Sequence, residues 1–139
     1  MRNLITGING FAASHLCDLL LASGEEVIGL ARDPSKNENI RHNKDRVKVL
    51  RGDVGNWEEI RNVLSETKPH RIYHMASVSY VPTVHLNWSE AFKTNVFGAL
   101  HLFEAVRELG IETRVMCVGS SEEYGIVLPG DLPVRESNP

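Results

Sequence analysis

The sequence predicts an α/β fold, a doubly wound parallel sheet. Short apolar runs alternate along the chain with stretches of helical periodicity. The first run ends in a glycine turn that opens directly into a helix. Strands separated in this way by helical segments connect as βαβ units, and right-handed crossovers then wind the sheet in both directions.

Leu4-Ile5 is the core of a first strand, followed by Gly7, Gly10 and a helix with apolar Ala12, Ala13, Leu16, Cys17, Leu19 and Leu20. Gly24 is placed to cap that helix. Glu26 to Ala31 reads as a second strand, and the polar stretch Arg32 to Asp45, with Pro34, as a loop or short irregular helix. Val47 to Leu50 makes a third strand ending at Arg51-Gly52-Asp53. Asn56 is an N-cap for a helix carrying Trp57, Ile60, Val63 and Leu64, which Pro69 stops. Arg71 to Met75 forms a fourth strand. A loop through Pro82 leads to a long helix from about Asn87 to Leu109, with Phe92, Val96, Ala99, Leu100, Phe103 and Val106 on one face. Arg114 to Val118 is the fifth strand. From Gly125 to Pro139 periodicity stops, and the chain reads as cut after the fifth strand rather than finished.

Composition narrows the partners. The 139 residues are one domain's worth, and 42% hydrophobic with 24% charged residues belongs to an ordinary globular protein. A net charge of −3 offers nothing to nucleic acid or an anionic membrane surface. No run reaches the ~18 apolar residues that would span a bilayer, and no signal peptide is visible, so the expected location is cytoplasmic. Cys17 and Cys117 fall in apolar elements and are expected to be buried, reduced thiols. The six histidines show no metal-ligand spacing, so no metal is expected.

The glycine turn carries the main functional expectation. The first turn of a helix leaves N–H groups unpaired at the positive end of its dipole, and a pyrophosphate reaches them only where no Cβ intervenes. Gly7 turns the chain off the strand, Gly10 lets backbone meet phosphate, and Ala13 lets the helix lie close to the sheet. With Asn9 and Phe11 in the same turn, these residues are the candidate diphosphate site. The spacing is Gly-x-x-Gly-x-x-Ala rather than Gly-x-Gly-x-x-Gly. Arg32 follows the tip of the second strand, where an Arg accommodates a 2′-phosphate and an acid binds a ribose 2′-hydroxyl. NADP is therefore favoured, and Asp33 keeps NAD open. Asp53, with Val54 beside it, is placed to accept the adenine amino group, or to serve only as a turn residue. Met75, Ala76 and Ser77 end the fourth strand and would let backbone approach the cofactor, whereas His74 reads as packed rather than catalytic. Val118 and Gly119-Ser120-Ser121-Glu122-Glu123-Tyr124-Gly125 close the fifth strand. Hydroxyls and carboxylates grouped there suit proton transfer to a carbonyl.

Thr6-Gly7-x-x-Gly10-Phe11, Gly52-Asp53-Val54, His74-x-Ala76, Asn95-Val96-x-Gly98 and Ser120-x-Glu122-x-Tyr124-Gly125 occur in this order. Together they resemble the extended short-chain dehydrogenase/reductases, the NAD-dependent epimerase/dehydratase family, over essentially the whole chain. Within it, the stretch from Gly119 to Gly125 with Leu128-Pro129 and Glu136 to Pro139 is most similar to GDP-4-keto-6-deoxymannose reductases. GDP-mannose 4,6-dehydratases come next. The resemblance implies a Rossmann-type cofactor domain over residues 1–139, with a substrate-binding C-terminal portion beyond it.

It also implies roles. Ser120 matches the Ser/Thr that binds the sugar C4 oxygen, and Glu122 matches the carboxylate that handles C5/C6 protons in the dehydratases. Ser79, Ser121 and Glu122 fall to the substrate, and Asn95, near the active site, and Val118 to the cofactor. The helix from Asn95 to Leu109, or the exposed fifth strand, is the expected homodimer surface. The family's Tyr-x-x-x-Lys pair would come a short way past Pro139. A chain ending there is expected to bind cofactor weakly or not at all and to catalyse nothing. A non-catalytic dinucleotide-binding module is the alternative. The fifth strand is expected to be a sheet edge that pairs with another copy or lies under the tail.

Overall fold

A computed structural model describes residues 1–79 and 86–138. Five parallel strands, β1 (Arg2–Thr6), β2 (Glu26–Ala31), β3 (Lys48–Arg51), β4 (Arg71–His74) and β5 (Arg114–Cys117), form one sheet in the order β3-β2-β1-β4-β5. The order reverses at β1, so a crevice opens at its carboxyl end, between β1 and β4. Helices α1 (Phe11–Ala22) and α2 (Trp57–Thr67) follow β1 and β3. After β4 come α3 (Trp88–Phe92), a π-helical segment Lys93–Phe97 and α4 (Gly98–Leu109). The loop through Pro82 lies partly outside the described residues.

Alternation along β1 divides the core. Leu4 faces α2 and α4 with Ile60, Leu64 and Leu102, whereas Ile5 faces α1 with Ala13, Cys17 and Leu20. Each fully buried aliphatic side chain contributes about 1.5–3 kcal/mol, so both faces of β1 are anchored. Asn56 caps α2 by accepting the Glu59 N–H at 3.3 Å. That helix ends one residue before Pro69, at Lys68, whose φ is +41°. Gly24, with φ +73°, follows the end of α1, and its N–H donates to the Leu21 carbonyl. The polar stretch after β2 contains a 3₁₀ turn, Glu38–Asn43, that tucks Ile40 against the α1 face.

Two expectations are corrected. The helical run before β5 buries Ala91, Thr94, Gly98, Leu102 and Ala105, not the bulky stripe. Small residues on that face let the helix lie against α2, while Phe92, Leu100 and Phe103 point outward and only Val106 of the stripe packs on the core. Cys17 is buried, as expected, but Cys117 is exposed, near the end of β5, the outer strand of the sheet.

Candidate functional site

A cleft of about 780 Å³ opens where the strand order reverses. Its floor is the turn from Gly7 to Gly10. Gly7 has φ +70°, and a Cβ there would stand 2.8 Å from Ala76 Cα and 2.9 Å from Ala76 N. The two loops at the carboxyl ends of β1 and β4 thus touch backbone to backbone. Gly10 begins α1 with no side-chain cap, and no acidic residue sits in the first turn. Helix α2 is the opposite case, for Asn56 caps it and Glu58 and Glu59 occupy its first turn. Of these two helix starts, only α1 is left to receive an anion, and its first three residues line the cleft.

A buried hydrogen-bond cluster fixes the wall opposite. The Thr6 hydroxyl oxygen accepts from the N–H groups of Met75 and Ala76, both at 3.1 Å. With its lone pairs so engaged, its proton is left for His74 Nδ1 at 2.8 Å. His74 therefore carries its own proton on Nε2, and burial pushes its pKa below the ordinary histidine value. The packed reading of His74 is what the structure shows.

Two residues that line this space carry a buried side-chain oxygen with no partner among the described residues, Asn9 Oδ1 and Thr94 Oγ1. Thr94 is only 4% exposed. An unpartnered buried oxygen is costly unless a ligand or water satisfies it. Asn9 also ties the glycine turn to the loop after β2, donating from Nδ2 to the Asp33 carbonyl at 2.9 Å. A glycine turn packed backbone to backbone, a bare helix start and two unpartnered side-chain oxygens fit a nicotinamide dinucleotide.

The cleft gathers most of the residues that the sequence singled out: Gly7, Asn9, Gly10 and Phe11 on one side, Met75, Ala76, Ser77 and Ser79 on the other. Arg32 and Asp53 with Val54 line the end near β2 and β3, and Val118 the end near β5. Asp53 also holds its own turn, its Oδ1 accepting the Gly55 N–H at 2.8 Å while Oδ2 lies 3.7 Å from Lys93 Nζ. Asp33 turns its Oδ1 into its own loop, onto the N–H and hydroxyl of Ser35, and these bonds hold its carboxyl below the usual range.

Four singled-out residues do not line the cleft. Asn95 is exposed and clamps the loop after β4 instead, accepting the Val78 N–H at 2.8 Å and donating to the Val78 carbonyl at 3.0 Å. Ser120, Ser121 and Glu122 are exposed beyond Gly119, in a 3₁₀ turn where the Ser120 hydroxyl accepts the Glu122 N–H. Sequence reasoning passed over Lys36 and Thr94, which do line the cleft. Lys36 carried only its charge as a signal. Thr94 lies in the π-helical segment, whose phase no period-3.6 pattern reveals.

Among the described residues no three His, Cys, Asp or Glu side chains gather as metal ligands, and no helix is long and apolar enough to cross a membrane.

Known proteins share this arrangement. The family model described as GDP-mannose 4,6 dehydratase matches residues 4–139. CDP-glucose 4,6-dehydratase of Salmonella typhimurium is 35% identical over 127 residues, which cover 88% of this chain and 35% of that enzyme. GDP-mannose 4,6-dehydratase of Vibrio cholerae is 31% identical over 149 residues, covering 99% of this chain and 40% of the enzyme. The crystal structure of Thermus thermophilus UDP-glucose 4-epimerase in complex with NAD superposes with a TM-score of 0.85 at 33% identity, over 100% of this chain and 44% of that one. The chain thus spans well under half the length of these relatives.

Proposed function

Since this chain belongs to the GDP-mannose 4,6-dehydratase family, within the NAD-dependent epimerases and dehydratases, we propose that it carries the cofactor site of an enzyme acting on a nucleotide sugar. The reaction class is hydride transfer at sugar C4, as a dehydratase, epimerase or reductase. The observation that carries this reading is the side-chain-free corner at Gly7 and Gly10, facing a helix start with no anion of its own.

A nicotinamide dinucleotide, when bound, supplies the hydride acceptor. The diphosphate would lie on the first turn of α1, and Asp53 and Val54 would border the adenine. Arg32 and Lys36, at the corner where the adenosine ribose would lie, support NADP as the preferred form, with NAD also admitted. Ser120 would donate to the oxygen on sugar C4, and Glu122 would handle protons at C5 and C6. Ser79 and Ser121 would contact the sugar nucleotide. Both roles need the turn after Gly119 to face a bound substrate. Asn95 would act as a positioning residue, through its clamp on Val78 between Ser77 and Ser79. The outward stripe of Phe92, Leu100 and Phe103 supports a homodimer through the helices after β4, and the protein would work in the cytoplasm.

Calorimetric titration of this chain with NADP and NAD tests the reading. Binding of either, lost at least tenfold in Gly10→Val, is the expected result. No heat up to millimolar nucleotide, or unchanged affinity in Gly10→Val, overturns it.

A further inference from the structure

The corner that would receive the adenosine ribose holds a cation already engaged by a carboxylate. Arg32 Nη1 is hydrogen-bonded to Glu90 Oε1, from a helix 58 residues further along the chain. Resting on the reading of the cleft as a dinucleotide site, we infer that Glu90 is a specificity-determining residue: its carboxylate competes with a ligand's 2′-phosphate for the Arg32 guanidinium and so narrows the margin between NADP and NAD.

Three observations converge on Glu90. Arg32 lines the cleft immediately after β2, where a 2′-phosphate meets its cation. Asp33, the acid that could have read a ribose hydroxyl, spends its Oδ1 on Ser35. The balance of charge in this corner, Arg32 and Lys36 against Glu90, then bears on the choice between the two ligands. The third observation is a contrast between two turns of the same sequence type, Asn-x-x-Glu. In Asn56-x-x-Glu59 the carboxylate stays home, accepting the Asp53 N–H at 2.8 Å and the Asn56 side-chain amide at 3.0 Å. In Asn87-x-x-Glu90 the asparagine caps α3 in the same way, accepting the Glu90 N–H at 3.2 Å, but the carboxylate is sent to Arg32. The cap of α3 uses only the backbone of Glu90, so the carboxylate can be changed without removing the cap.

A half-exposed ion pair adds little to stability, but its effect on a second anion is larger. A 2′-phosphate arriving at Arg32 must share the guanidinium with Glu90, two like charges in one corner. A 2′-hydroxyl does not meet that cost.

The test is calorimetric titration of NADP and NAD against the wild-type chain, Glu90→Gln, Glu90→Asp and Glu104→Gln. The last removes the same charge from a remote exposed pair with Arg107 and controls for net charge. Glu90→Gln is expected to tighten NADP about tenfold, the size of one freed charge-assisted bond, while NAD changes less than about twofold. Glu90→Asp, which keeps the charge, should shift the ratio less, and Glu104→Gln should leave it alone. The gain should shrink at high salt. An unchanged NADP to NAD ratio in Glu90→Gln, or the same shift in Glu104→Gln, overturns the inference while leaving the cleft a dinucleotide site. Should neither nucleotide bind any of the four proteins, the underlying reading falls and this one with it.

Discussion

The wall of the cleft and the turn beyond its β5 end are built of different material. At the β1 end the wall is backbone: Gly7 against Ala76, with Thr6 stitching β1 to the two N–H groups that follow β4. Past Gly119, outside the cleft, the exposed Ser120, Ser121 and Glu122 belong to a short 3₁₀ turn and its cap. A backbone wall tolerates almost no change, because any added atom meets a neighbour that cannot rotate away. A turn that carries its chemistry on side chains can lose one and keep its shape. Cofactor binding and substrate chemistry are therefore expected to break under different substitutions.

Two glycines expose the difference most sharply. Gly7 and Gly125 have nearly the same φ, +70° and +65°. A Cβ on Gly7 collides with backbone, whereas one on Gly125 meets nothing within 4 Å. Gly7→Ala is expected to cost about 3 kcal/mol or more, left-handed strain plus displacement of the β4 loop. Gly125→Ala should cost less, about 1–2 kcal/mol, the conformational part alone at φ +65°, ψ −134°. Urea denaturation midpoints measure both, and equal losses would show that the contact with Ala76 is not what makes the β1 end rigid.

Thr6→Val comes next. It keeps the volume but leaves two backbone N–H groups and His74 Nδ1 without their partner, a loss of about 2 kcal/mol. Because those N–H groups shape the loop that lines the cleft, nucleotide affinity should fall with it. A variant as stable as the parent would mean that water replaces the hydroxyl, and the wall is softer than its geometry suggests.

His74 gives the comparison a pH axis. Burial depresses its folded-state pKa, and the Thr6 proton needs a neutral Nδ1. Above pH ~6.5 the ring is neutral in folded and unfolded chains alike, and nothing is lost. Below that value the unfolded chain takes up a proton that the folded chain refuses, so stability falls as pH falls, until the folded pKa is reached. The slope is at most about 1.4 kcal/mol per pH unit. His74→Asn should flatten it between pH 6.5 and 5, read from thermal melts. Persistence of the full slope in that variant would place the titrating group elsewhere.

How much of this was legible depends on whether a residue acts through its type or through its surroundings. The glycine turn could be read, because only glycine suits a positive φ facing another backbone, and the strand and helix around it have strong periodicity. β2 fell where its apolar run lies, and Asn56 announced α2. The inward face of the helix after β4 could not be read that way. Its bulky residues outnumber the small ones, and period alone does not say which side a sheet will cover. Arg32 could be read as a cation after a strand, but not as one already engaged by Glu90, because that pair joins elements 58 residues apart. Cys117 misled for a similar reason, as an apolar strand is buried only if something covers it.

The smallest expected effect is the most informative about the β5 end. The Ser120 hydroxyl accepts one N–H, from Glu122 at 3.2 Å, in an exposed turn of four residues. Water can take over that N–H, so Ser120→Ala should change stability by no more than about 0.5 kcal/mol. Nucleotide affinity should stay within about twofold, since Ser120 does not border the cleft that would hold the dinucleotide. Asn56→Ala, which removes the cap of α2, a helix packed on the core, should cost about 1 kcal/mol by the same loss of one acceptor. A serine so cheap to remove leaves its hydroxyl free for the role proposed for it above. If Ser120→Ala instead unfolds the chain as readily as Asn56→Ala, the turn after β5 is a structural cap and its hydroxyl has another use.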